Sequence, residues 1–312
     1  MNELQIIEII RQLFETEDYP LTDDVAYLPN GLAFKVDMLV KSTDIPKGMS
    51  WYQVGRKALV SVLSDVSTKG VRPEFMMLSV ALRKGIKEEQ IKDMLMGIKD
   101  LSVRYGIKLI GGDVNRANDL AIDCVLFGSY KNKVLRGGAK PGDLIYVTGE
   151  FGLTAVGLDY LVKGREIRNS RLKGLALKWV YEPEPPVEFN LDVVESGLVT
   201  SSMDSSDGLA FTLNEMAEQS GLRFLIENYP MSEEIIKMIE EEGRDPLLDA
   251  MYGGEEYQMV FTVPPEKEQE VIKKAKEHDT IIHRIGHVTQ GKGVYFARES
   301  KKIEKRGWVF TF

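Results

Sequence analysis

Two aspartates three residues apart, Asp204 and Asp207, stand in the stretch SSMDSSDGLAF, with a glycine directly after the second. Carboxylates at this spacing can hold a divalent cation at the mouth of a site. They can equally belong to a turn, with Asp207 as the N-cap of a helix over LAFTLNEMAEQSG that Gly221 closes. A calcium loop fails on register. Glu215 falls at position 12 counted from Asp204, but Gly208 falls at position 5, where such a loop needs its glycine at 6.

Aspartate recurs at the ends of other apolar segments. Asp24 precedes VAYL, Asp37 interrupts FKVDMLV, Asp65 lies in ALVSVLSDVSTKG, and Asp113 ends IKLIGGD. Asp37 and Asp65 sit inside apolar runs, where an unpaired carboxylate is costly to bury. Six acids brought together repel unless cations hold them. Hard oxygen ligands of this kind suit Mg²⁺, which keeps waters and shares substrate phosphates.

Other motifs carry less. GHVTQGKG has Lys292 where a phosphate loop has its lysine, but no Ser or Thr follows, and the next residues, VYFA, read as a strand. It reads as a hairpin turn. GEFGLTAVG follows a strand but has the wrong glycine spacing for a dinucleotide fold. His278, His283 and His287 fit no single helix face.

The elements that must position the acids alternate between strand and helix. Residues 2–14 have the apolar spacing of an amphipathic helix, and Asn30-Gly31 predicts a hairpin between VAYL and LAFKVDMLV. Ser50 and Gln53 form a capping box for a helix that Gly70 ends. FMMLSVAL, IKLIGGD and LAIDCVLFGSY read as strands, with a helix over KEEQIKDMLMGIKDLSVRYG. RGGAKPGD, beginning at Arg136, makes a sound domain joint, and strand–helix alternation resumes beyond it. The expectation is a mixed α/β fold of two domains, residues 1–137 and 138–312.

A length of 312 residues accommodates two cores, and the net charge of −8 disfavours a general nucleic-acid role. The single cysteine, Cys124, excludes an intramolecular disulfide and a cysteine-based zinc site. No apolar run approaches the length of a membrane span, and the acidic start lacks the features of a signal peptide. A cytoplasmic protein is expected.

In order, DDVAYL, DMLV, LSDV..KGVRP, LIGGD, RGGAKPGDLIYVTGEFGLTAVGL, MDSSDGL and GGEEYQMVFTV resemble the thiamine-monophosphate kinase family. That family lies in the aminoimidazole-ribotide synthetase-like ATP-binding superfamily, and the resemblance runs from about Asp23 to Thr262. It implies ATP- and Mg²⁺-dependent phosphorylation of thiamine monophosphate to thiamine diphosphate, in a homodimer whose N-terminal sheets join. The first domain would then bind ATP and metal and dimerise. The family's metal-binding acids fall on Asp24, Asp37, Asp65, Asp113, Asp204 and Asp207. Of these, Asp24, Asp37, Asp65, Asp113 and Asp207 are the expected catalytic set. Gly112, Asp113, Arg136 and Ser206 match nucleotide-binding positions, while Glu255 and Trp308 match substrate-binding ones.

The departures fall on the substrate side. DMLVKSTDI stands where the family has DTLVEGVHF, so Asp44 replaces a substrate-contacting histidine and Met38 a threonine. GGEEYQM stands for GGEDYEL, and TDD for GDD. Two alternatives stay open: an ATP-dependent enzyme with another small-molecule acceptor, or a nucleotide-binding module without catalysis.

Overall fold

A computed structural model describes residues 1–298, 301–308 and 311. The N-terminal half runs α1 (Glu3–Phe14), β1 (Ala26–Tyr27), β2 (Leu32–Val40), α2 (Lys41–Asp44), α3 (Trp51–Thr68), β3 (Val71–Arg83), α4 (Glu88–Arg104), β4 (Lys108–Ala117) and β5 (Ala121–Tyr130). The C-terminal half runs β6 (Leu144–Thr148), α5 (Leu153–Lys163), α6 (Ser170–Tyr181), α7 (Val187–Glu195), β7 (Ser201–Ser205), α8 (Leu209–Ser220) and β8 (Arg223–Ile226). It continues with α9 (Glu233–Glu241), α10 (Pro246–Tyr252), β9 (Gln258–Val263), α11 (Glu268–Glu277), β10 (Ile282–Thr289), β11 (Gly293–Phe296) and β12 (Lys301–Lys302).

Helix α3 is the centre of the molecule. The predicted capping box is present: Gln53 N donates to Ser50 Oγ, and Ser50 N to Gln53 Oε1. Gly70, at φ 66°, ends the helix as expected. Nearly every side chain from Val54 to Thr68 is buried, because one side of α3 packs on the first sheet and another meets α7, β7 and β9 of the second half. The core beneath it accordingly includes Val187, Leu191 and Tyr257 from beyond the joint. On its remaining side α3 crosses α4 closely. A Cβ on Gly55 would lie 1.8 Å from Met94 O, and one on Gly97 2.0 Å from Tyr52 O.

The first sheet has the order β1-β2-β5-β3-β4, with β3 and β4 parallel and the other pairs antiparallel. Directly paired residues share a face. One row across it is Asp37, Cys124, Leu78, Gly112, and the next is Met38, Asp123, Ser79, Asp113. The first row faces the α3 core, where Cys124 and Leu78 are buried. The second row faces outward and is not covered by the described residues: Met38 is 60% exposed, and neighbouring Val36 and Met77 are exposed too. Every residue of the edge strand β4 is exposed.

The second sheet has the order β12-β11-β8-β10-β6-β9-β7. Two expectations are corrected here. GHVTQGKG is not a hairpin turn, because β8 lies between β10 and β11 and pairs with both. Asp207 does not cap α8; the N-cap residue is Gly208, at φ 107°. A Cβ there would lie 2.2 Å from Gly253 O, so the aspartate–glycine pair serves a close crossing of two loops. Helix α10, capped by Asp245 with Pro246 at its start, is an element the apolar spacing did not announce.

Candidate active site

Three of the six predicted acids meet at the junction of the two halves. Asp24 (before β1), Asp65 (on α3) and Asp204 (on β7) each offer a carboxylate oxygen within 4.8 Å of the others, and all three are buried. Asp37 on β2 joins the group through Lys35, whose Nζ lies 2.9 Å from Asp65 Oδ2 and 3.3 Å from Asp37 Oδ1. Asp207 follows β7 and stands close enough to Asp204 to feel its charge. Asp113 is elsewhere in the chain. It lies three strands from the Asp37 row, roughly 14 Å at the usual strand spacing, and faces the opposite side of the sheet. Gly112 lies beside it at the edge, with its Cα opposite Leu78.

Cations are distributed unevenly among these acids. Arg136 donates from Nε to Asp24 Oδ1 at 2.7 Å and also from Nη2, while Lys69 Nζ stands 2.9 Å from Asp24 Oδ2. The Lys69 approach is off the line of a hydrogen bond, so Asp24 Oδ2 has none among the described residues. Asp23 completes the corner by accepting from Arg136 N at 3.0 Å and pairing with Lys69 at 2.7 Å. Lys69 is fully buried and also donates to Ser202 O at 2.5 Å, tying the end of α3 to β7. Among the described residues the Asp204 carboxylate has only the Ser64 hydroxyl, at 2.8 Å.

The proton affinities follow this distribution. Burial raises the Asp24 carboxyl, but Arg136 and Lys69 outweigh it and hold the group well below the usual carboxylate range. Burial, then repulsion from Asp204, pushes Asp65 well above that range despite Lys35. Burial together with the Asp24 charge moves Asp204 up to about 6, against the Ser64 hydrogen bond. Burial, then Glu3 and Asp204, moves Asp207 up to about 7. Carboxylates crowded this way lack positive charge. The all-oxygen donor set, with no cation in contact with Asp204 among the described residues, fits a hard divalent cation.

The predicted substrate residues line a second corner. Glu255 has φ 65° and Tyr257 φ 54°, a left-handed backbone that non-glycine residues seldom adopt. The loop is held there by Glu255 N donating to Ser206 O at 2.7 Å and Tyr257 N to Ser205 O at 2.8 Å. Ser206 is thereby fixed beside Asp207. Between these residues Glu256 is wholly buried, accepts from Thr154 Oγ1 at 2.6 Å, and is pushed up to about 7 by burial. Glu255 Oε1 pairs with Lys57 Nζ at 2.5 Å, and its buried Oε2 has no hydrogen-bond partner among the described residues. Lys57 also donates to the backbone O of Asp44 at 2.6 Å. The Asp44 carboxylate accepts from Val40 N at 2.6 Å and so closes the turn at the end of β2. Trp308 N donates to Asp207 O at 3.1 Å, which brings the backbone of this exposed residue beside the acid corner.

Sequence reasoning missed Lys35, Lys57 and Lys69. The signal was present for Lys35, which lies inside the apolar run LAFKVDMLV, the criterion that singled out Asp37 and Asp65; Lys57 follows Gly55 and Arg56 and carries no such mark. Lys69 reads locally as the end of a helix, and nothing near it in the chain announces Asp23 and Asp24.

Residues 22–130 match the family model of the AIR synthase related protein N-terminal domain, and residues 140–298 that of its C-terminal domain. Together they define a protein of the two-domain AIR synthase related class. The chain is 36% identical over 312 residues to the thiamine-monophosphate kinase of Nitrosopumilus maritimus, covering 99% of this chain and 98% of that one. It is 33% identical to that of Pyrococcus abyssi, covering 99% and 95%. The solved structure of AaThiL complexed with AMPPCP and TMP superposes with a TM-score of 0.85 at 26% identity, covering 99% and 97% of the two chains. The chain belongs to the thiamine-monophosphate kinase family and is a kinase.

Proposed function

We propose that the chain transfers the γ-phosphoryl group of ATP directly, in line, to the phosphate of thiamine monophosphate, with Mg²⁺ held by the acid cluster. The observation that carries this reading is the meeting of Asp24, Asp65 and Asp204, drawn from three separate segments of both domains. Its context is a family whose member AaThiL has been solved with AMPPCP and TMP. The acceptor phosphate is already ionised near neutral pH, so no general base is needed, and positioning and charge compensation are what the reaction asks of the protein. Bound Mg²⁺ would neutralise the two phosphate groups and hold them in line. Asp24, Asp37, Asp65, Asp204 and Asp207 are the ligands this chain provides at the junction. Arg136 and Ser206 face the nucleotide phosphates in this reading. Glu255, with its uncommitted Oε2, and the Trp308 ring receive the cationic thiazolium, the ring through a cation–π contact.

Asp113 and Gly112 enter through a second copy. The exposed edge strand β4 and the uncovered apolar face of the first sheet support a homodimer in which they serve the partner's site. Among the described residues no helix is long and apolar enough to cross a membrane, and the cytoplasm is the proposed compartment.

The test is incubation with Mg-ATP and thiamine monophosphate, followed by chromatography, with an EDTA control. Equal amounts of thiamine diphosphate and ADP, abolished by EDTA, are expected. ATP binding without any thiamine diphosphate would favour the second reading, another acceptor. The Asp44 carboxylate, committed to Val40 where the family has a histidine for substrate, is the observation behind it.

A further inference from the structure

We propose that Lys35 is a built-in cation of the acid cluster, standing where a divalent ion would otherwise bridge Asp37 and Asp65, and so limits how much metal the site takes up. This rests on the reading of the cluster as a metal site. Three observations carry it. First, Lys35 Nζ touches one oxygen from each of two acids on different elements, Asp65 on α3 and Asp37 on β2, at 2.9 and 3.3 Å. That is the connectivity of a bridging ion, at ammonium rather than metal distances. Second, Lys35 and Asp37 are alternate residues of one strand, so both project from the same face of β2 towards α3, and the pairing of Lys35 with Leu126 and Asp37 with Cys124 fixes where their stems begin. Third, the other cations of the corner are committed elsewhere: Lys69 and Arg136 serve Asp23 and Asp24. A metal bridging Asp37 and Asp65 would have to displace the ammonium or sit against its charge. Asp204 and Asp207, by contrast, have no cation in contact among the described residues, and the first divalent ion would enter on their side.

The experiment counts Mn²⁺ bound per chain, by titration calorimetry and by the loss of the free-ion electron paramagnetic resonance signal, on the full chain without nucleotide. Wild type, Lys35→Met and Lys35→Gln are compared, with Lys35→Arg as the variant that keeps the positive charge. Lys35→Met and Lys35→Gln are expected to bind one more Mn²⁺ per chain, or the same number about tenfold tighter, while Lys35→Arg binds as wild type. Binding by the neutral variants that is unchanged or weaker than wild type overturns the assignment while leaving the metal site itself intact. Absence of Mn²⁺ binding in every protein overturns both the assignment and the metal reading. Melting curves guard against a folding artefact. The neutral variants are expected to melt lower than wild type in EDTA and to gain more from Mn²⁺, and a neutral variant whose Tm does not respond to Mn²⁺ also counts against the assignment.

Discussion

Lys57 Nζ lies 2.5 Å from Glu255 Oε1 and joins the two domains, one residue on α3 and the other on the strained loop before β9. The pair is asymmetric: the Lys57 side chain is 1% exposed and that of Glu255 24%. Truncating either partner strands the other, and the cost depends on how well water can reach what remains. Glu255→Ala leaves an ammonium with only the Asp44 carbonyl among the described residues and should cost roughly 3–5 kcal/mol. Lys57→Met leaves a carboxylate on a side chain partly open to solvent, with its Oε2 buried, and should cost less, about 1–2 kcal/mol. Urea denaturation of both variants checks this. Equal losses, or the reverse order, would show that the lysine is not the buried partner.

Asp65→Asn should nearly abolish turnover. In metal-free protein it should lower stability only modestly: the Lys35–Asp65 contact is weakened, but burial and Asp204 already disfavour the charged form of Asp65. The assay is turnover with Mg-ATP beside a melting curve in EDTA. A variant that keeps wild-type turnover would remove Asp65 from the site.

Stability without metal should fall as the pH rises. Asp204, Asp207 and Glu256 are raised to about 6, 7 and 7 by burial first, so the native state holds these protons more tightly than the unfolded chain does. Their contribution is complete below the ordinary carboxylate range and is lost as the pH passes about 7. Asp24, held low by Arg136 and Lys69, works in the opposite direction only at more acidic pH. Melting curves in EDTA from about pH 4.5 to 8 should therefore descend. Mg²⁺ should flatten the part due to Asp65, Asp204 and Asp207, and Glu256→Gln the part due to Glu256. A flat profile in EDTA would refute the charge distribution described for the site.

At Asp44 the carboxylate holds Val40 N, so Asp44→Asn, which keeps an acceptor, should be nearly neutral in melting temperature. Asp44→His should lose the charge-assisted bond, a cost of about 1–2 kcal/mol, even where it improves contact with a thiamine phosphate. Stability and the KM for thiamine monophosphate are to be measured on both. An Asp44→His protein as stable as wild type would mean that the turn does not depend on this bond.

Two inactive chains should rescue each other if Asp113 serves the partner's site. Asp113→Asn and Asp65→Asn each spoil one half of the shared machinery, and a heterodimer of the two retains one intact site. Random pairing in a co-expressed mixture then restores about a quarter of wild-type activity, since half of the dimers are mixed and each has one good site of two. Activity no higher than either variant alone would remove Asp113 from a shared site. Sedimentation of an Ile110→Arg variant, altered on exposed β4, should in parallel show monomers.

Much of the scaffold was legible because it rests on local chemistry. Ser50, Gln53 and Gly70 bound α3, Asn30-Gly31 turns β1 into β2, and both signals act within a few residues. The acids stood out for the same kind of reason, since Asp37 and Asp65 break apolar runs that would otherwise be uniform. Which of those acids meet was not local information. Asp24, Asp65 and Asp204 are joined by the packing of α3 against both halves, while Asp113, similar to them in sequence context, is carried three strands from Asp37 and turned to the other face by pairing register. The cations were decided the same way: Lys57 finds Glu255 across 198 positions of chain, and Lys69 finds Asp23 and Asp24 by closing back over β2. The sequence by itself determined the elements and the charges each presents, through propensities and caps that operate over one or two turns. The tertiary structure alone decided which charges neutralise one another, because Coulomb energy depends on separation in space and on burial, and neither is set by separation along the chain.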